Sequence, residues 1–209
     1  LLNETARYTA LWMTYEDTIR VADLKTRRSR FQRVSAEARI GSEQIMEVRE
    51  YLHPMSEEVA DTLPTPIGKW ILRTKPVIKT IEKISENGII LNTASISGYC
   101  LLYFVARLKP IRPRSLRFNL EQERIDTWLA KIAEIAPKNY ELACEIAECA
   151  NVIKGYGETH RNGWRNFTAI MAEVDKVSNN SDATSRIKEL RLAALADEDG
   201  TKLRNYLNA

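Results

Sequence analysis

The stretch Ser115-Leu-Arg-Phe-Asn-Leu-Glu-Gln-Glu-Arg-Ile-Asp-Thr-Trp-Leu-Ala-Lys-Ile-Ala-Glu-Ile-Ala136 decides the fold class. Ile125, Trp128, Leu129, Ile132 and Ile135 recur at the three- and four-residue spacing of one helical face, while Glu121, Glu123, Arg124 and Lys131 mark the opposite face. The pattern predicts a long helix over about residues 115–136. Pro137 starts the next helix, expected over residues 140–154, where Leu142, Ile146, Cys149 and Ile153 keep helical spacing. A glycine-rich junction at residues 155–163 follows, and then helices over 164–177, 186–196 and 201–207.

Upstream the same periodicity dominates. Residues 5–24 put Tyr8, Leu11, Trp12, Tyr15 and Ile19 on one stripe of a single helix, and a polar, basic stretch follows. Gly41-Ser42 opens a helix carrying Ile45, Val48 and Leu52, capped by the serine and closed by His53-Pro54. A short helix begins at Ser56, and Pro66 and Pro76 occupy the first turns of helices over 67–73 and 77–85. After the Asn87-Gly88 turn, residues 89–93 are the single strand candidate; with nothing to pair with, they read as an extended connector. Residues 99–108 are apolar nearly all round and read as a buried central helix. The expectation is an all-α protein, an irregular bundle of eight to ten helices in one domain over residues 1–209.

Composition narrows the function classes. A hydrophobic fraction of 44% with 28% charged residues is ordinary for a globular chain. A net charge of +3 gives little support to a nucleic-acid partner. The longest apolar run, residues 99–106, falls far short of the roughly 18 residues of a membrane span, and no signal peptide is visible. The chain opens at Leu1-Leu2-Asn3 without an initiator Met, which suggests a piece of a longer protein. Cys100, Cys144 and Cys149 form no CxxC pair and are odd in number, so structural thiols in a reducing cytoplasm are expected, and no metal site.

Two arginine-rich runs are candidate anion contacts, because the guanidinium fork suits phosphate and carboxylate. Lys25, Arg27, Arg28, Arg30 and Arg33 form the first; Arg107, Lys109, Arg112, Arg114 and Arg117 form the second, stiffened by Pro110 and Pro113. The alternative is solvated helix ends, where cations complement the helix dipole. At the glycine junction, Lys154, Gly155, Tyr156, Gly157, Thr159 and His160 could form a backbone anion site, or simply a tight helix–helix turn. The spacing is not GxGxxG and no strand precedes it. His160 is the candidate acid–base residue. An anion-binding module would need this junction, with Tyr156 and His160, to lie beside at least one of Arg112, Arg114 and Arg117. Asp197-Glu-Asp-Gly200 lacks the further ligands of a calcium loop and reads as a turn.

Three segments together are similar to one family. Leu63-Pro-Thr-Pro-Ile-Gly-Lys-Trp-Ile-Leu72 comes first. Thr93-Ala-Ser-Ile-Ser-Gly-Tyr-Cys-Leu-Leu102 then runs through the Arg-rich loop to Trp128. Residues 145–166 follow, with their Lys154-Gly-Tyr-Gly-Glu-Thr-His160 core. In this order they resemble the C-terminal helical region of beta-subunit-like proteins of indolepyruvate ferredoxin oxidoreductase. The resemblance covers about residues 5–205. It implies a cytoplasmic parent complex that oxidatively decarboxylates an aryl 2-oxoacid to an acyl-CoA. Thiamine diphosphate and iron–sulfur clusters would pass the electrons to ferredoxin. Those cofactors lie elsewhere in such assemblies, so this region is expected to carry none and to dock other domains or subunits.

Overall fold

A computed structural model describes residues 1–14, 18–41, 43–52, 54–86, 88–155, 157–197 and 199–208. In chain order the elements begin with α1 (Leu2–Trp12), α2 (Thr18–Thr26), α3 (Arg28–Glu37) and β1 (Arg49–Leu52). There follow α4 (Ser56–Thr62), α5 (Thr65–Arg73), α6 (Lys75–Ser85), β2 (Ile89–Asn92) and α7 (Ile96–Ala106). A 3-10 segment, Lys109–Arg114, leads into α8 (Leu116–Ile135) and α9 (Tyr140–Cys149). A second 3-10 turn, Ala150–Val152, precedes α10 (Gly157–Val177), α11 (Ala183–Ala196) and α12 (Thr201–Asn208). The fold is all-α, with twelve α-helices among the described residues against the eight to ten expected. No helix among them is long and apolar enough to cross a membrane.

The chain forms two compact units: Leu1–Tyr15 with Gln122–Ala209, and Glu16–Glu121. The first unit is built on α8, whose Ile125, Trp128, Ile132 and Ile135 are buried as the periodicity predicts. Trp12 of α1 meets Trp128 at 5.6 Å and Phe167 of α10 edge-on at 5.3 Å. The Trp128 indole N–H donates to the Ile146 carbonyl at 3.0 Å, so the buried ring leaves no donor unmatched. α11 closes this core with Ile187 and Leu190. Its buried Arg191 reaches α9, donating to Glu145 and pairing with Glu148, each at 2.9 Å. Local signals set the ends: Asn139 accepts from Leu142 N–H to cap α9, and Asp197 accepts from Lys202 N–H ahead of α12.

The second unit pairs α4 with α5 and α2 with α7. Pro66 and Pro76 sit in the first turns of α5 and α6, where the missing N–H costs nothing. Ser95 caps α7 by accepting from Gly98 N–H at 3.2 Å.

Several expectations need correction. Residues 5–24 are not one helix: α1 ends at Trp12, and the Thr14 hydroxyl donates back to the Leu11 carbonyl at 2.7 Å, a competing local bond. Tyr8 and Trp12 enter the first unit's core and Ile19 the second's, while Tyr15 lies outside the described residues. Among the described residues the helix expected after Gly41 does not form: residues 43–48 are turn and coil, and Arg49–Leu52 is a strand. The connector at 89–93 is its antiparallel partner, in the register Arg49 to Asn92 and Leu52 to Ile89. Ser42, His53 and Asn87, read as cap, stop and turn, lie outside the described residues. The basic stretch after residue 24 continues α2 and forms α3. The predicted helix over 140–154 ends at Cys149, and the one expected from 164 starts at Gly157. The supposed buried helix is α7, which buries only Gly98 and Leu102.

Candidate functional site

The glycine junction is a packing device with two different causes. Gly155 takes φ of +79°, a left-handed conformation that other residues adopt at a cost. A Cβ there would also stand 2.7 Å from the Thr159 methyl group. Gly163 has no such backbone requirement. It lies within α10, where a Cβ would stand 2.5 Å from the Val152 carbonyl oxygen, so the helix presses against the preceding 3-10 turn. Within the junction Lys154 and Thr159 are half-buried and His160 is buried one turn into α10. Gly157 begins that helix with φ of +56°. Tyr156 lies outside the described residues. Glu158 and Arg161 pair on the exposed side at 2.7 Å.

The arginine side of the candidate belongs to the other unit. Arg112 and Arg114 lie on the 3-10 segment and Arg117 in the first turn of α8. The Arg112 guanidinium stands 5.8 Å from the Phe118 ring centre, a cation–π contact. Arg114 is exposed, and its carbonyl accepts from the Thr65 hydroxyl at 3.2 Å. Just upstream, Arg107 lies 4.7 Å from the Tyr103 ring centre and donates to its hydroxyl. Lys154, Gly155, Gly157, Thr159 and His160 thus form one group in the first unit, and the arginines another in the second.

The first basic run is employed inside its unit. Lys25 and Arg30 both bond the carboxylate of Glu50 on β1, and Arg27 pairs with Asp23 at 2.6 Å. Arg33 faces Glu37 at 3.7 Å. Burial pushes the Glu50 carboxyl up, but the donors and charges of Lys25 and Arg30 outweigh it and hold the group below the ordinary glutamate value. Sequence reasoning missed Glu50 because the residue sat in an expected helix.

It also missed a cleft of about 390 Å³ beside the start of α7, lined by Phe31, Met46, Thr93, Ser95, Tyr99 and Cys100 among others. Its walls come from α3, the segment before β1 and the β2–α7 turn. Phe31 lies in the stretch read as polar, so no local pattern pointed to it. Cys100 is exposed, whereas Cys149 is fully buried and its thiol is pushed up to about 12 by loss of solvation. Among the described residues no group of three or more His, Cys, Asp or Glu side chains is placed to hold a metal ion.

No curated protein and no solved structure matches this chain. Residues 1–173, from α1 into α10, match the model of a family of unknown function, and the chain belongs to that family, DUF6537.

Proposed function

We propose that the chain is an accessory, interaction-forming region of an indolepyruvate (2-oxoacid):ferredoxin oxidoreductase-like beta subunit and does not itself carry the redox chemistry. The observation that carries an interaction role is the distribution of exposed apolar side chains. Of the 21 exposed large hydrophobic residues described, 16 belong to Glu16–Glu121, among them Trp70, Ile84, Ile96, Leu101 and Phe104. An excess of exposed apolar side chains on one unit supports an interaction role for that unit. The choice of parent rests on the three sequence segments that resemble the oxidoreductase. In this reading thiamine diphosphate and the iron–sulfur clusters sit in other parts of a cytoplasmic complex. Ferredoxin is the electron acceptor of that complex.

The test is deletion of this region from the parent protein, followed by size-exclusion chromatography, cofactor analysis and 2-oxoacid-dependent ferredoxin reduction. Assembly should fail while the remaining protein keeps its thiamine diphosphate and iron. A deleted protein that assembles and turns over normally would overturn the proposal.

A further inference from the structure

Residues 88–120 contain five cations, Arg107, Lys109, Arg112, Arg114 and Arg117, and no Asp or Glu. This acid-free stretch builds β2, α7, the 3-10 segment and the start of α8. Along α7, residues three, four, seven and eleven apart share one face. Ile96, Cys100, Tyr103 and Arg107 follow that spacing, and all four are exposed. The cleft of about 390 Å³ lies at the N-terminal end of this stripe. In its middle Tyr99 and Tyr103 stack at 6.0 Å, and Arg107 covers Tyr103 at the far end. Beside the stripe Phe104 is 65% exposed, and Leu101, about a third of a turn away, is 52% exposed. An apolar cleft and a cationic end are therefore separated by the length of α7, about 16 Å.

Cations of the first run meet carboxylates of their own unit. Lys25 and Arg30 are committed to Glu50, and Arg27 to Asp23. In the second run Arg107 rests on an aromatic ring, and Lys109 acts on Asp23, a carboxylate already paired with Arg27 and Arg20. No acid stands among the five cations, the nearest downstream being Glu121, and the exposed Arg107, Lys109 and Arg114 present positive charge that complements an acidic partner.

We propose that the exposed stripe of α7 and the adjoining 3-10 segment dock an acidic amphipathic helix from another domain or subunit. That helix places an apolar side chain in the cleft and carboxylates against Arg107, Lys109 and Arg114. The inference rests on the accessory-region reading above and assigns its contact surface. Aromatic and arginine side chains are the types enriched in protein interfaces. Nucleic acid fits less well, because neither its phosphates nor its stacking bases gain from covering the aliphatic Ile96 at the cleft end of the stripe.

The whole 209-residue chain is titrated against a labelled synthetic helix of about four turns, with Leu and Phe on one face and Glu on the other, and binding is read by fluorescence anisotropy. The probe should bind, and added salt should weaken it. Phe104→Ser and the pair Arg107→Glu/Lys109→Glu should each weaken binding at least about tenfold, with the far-ultraviolet circular dichroism spectrum unchanged. Leu192→Ser, in the other unit, should have no effect. Three results overturn the proposal: no binding of the acidic probe, equal binding of a probe with Lys in place of Glu, or displacement by a single-stranded oligonucleotide that binds more tightly. The same variants are placed in the parent complex. If they assemble normally while deletion of the whole region does not, the region docks through another surface. If neither change affects assembly, the accessory reading itself falls.

Discussion

Glu50 accepts from Lys25 and Arg30, two cations of a run that contains no acid, and so ties β1 to α2 and α3. The carboxylate is mostly buried, so replacing it by an amide leaves two cations without their counter-charge and one of them without its acceptor oxygen. Glu50→Gln should lower the stability of the second unit by about 1–3 kcal/mol, measured by urea denaturation. The pH dependence has a definite sign. The folded value is lowered, so the contribution is complete above the unfolded glutamate value of about 4.3 and is lost as pH falls through the folded value. An acid titration followed by circular dichroism should show a transition that Glu50→Gln flattens; an identical titration in the variant would count against this assignment. The thiols give a second residue-scale prediction. Cys100 should react with a maleimide within the time of mixing, and Cys149 only after unfolding, because burial denies it both access and thiolate character. Mass spectrometry of the labelled peptides checks the order.

At the scale of elements, α10 and the turn before it stand or fall on Gly163. Gly163→Ala places a Cβ against a backbone oxygen that no side-chain rotation can relieve, and should cost about 1–3 kcal/mol in the thermal unfolding of the first unit. Gly157→Ala meets no atom within 4 Å and carries only the backbone cost of its φ, about 1–2 kcal/mol. Equal stability of the Gly163→Ala and native proteins would remove the close-packing explanation. The junction was legible as a place of demanding geometry because glycine is scarce elsewhere, but the neighbour that makes the demand, the Val152 carbonyl, was not. Elements with local signals were legible throughout. α8 has its periodicity, α5 and α6 their prolines, and α12 the Asp197 turn before it. The hairpin was not, since β1 and β2 lie some forty residues apart and each has only four residues in which to alternate. Nor was α7, because an all-round apolar helix reads the same whether this chain or another protein covers it. The candidate cations were legible by type, but which of them are spent on Glu50 depends on a strand that the sequence disguised.

The two units differ in how much of the molecule they keep inside. Among the described residues, 23 buried apolar side chains lie in the unit of α8 to α12 with α1. Glu16–Glu121, a unit of similar length, holds six: Ile19, Ala22, Ala60, Ile71, Leu102 and Leu116. Apolar burial is the main favourable term in folding, so the unit with the thin core should open first. The tryptophans allow the two to be followed separately. Trp12 and Trp128 are buried in the first unit and Trp164 is half-buried there, while Trp70 of the second is 58% exposed. Intrinsic fluorescence therefore reports mainly on the first unit, and far-ultraviolet circular dichroism on the helices of both. In urea the dichroism should begin to fall at a lower concentration than the fluorescence, and the two curves should not superimpose. Coincident curves would mean one cooperative transition and would refute the separate opening of the units. A partner that binds only the folded second unit must raise the early transition by mass action, by about 2.7 kcal/mol at a hundred times its dissociation constant. The acidic helical probe should therefore move the early dichroism change to higher urea and leave the fluorescence midpoint in place, which ties the thin core to the exposed surface of the same unit.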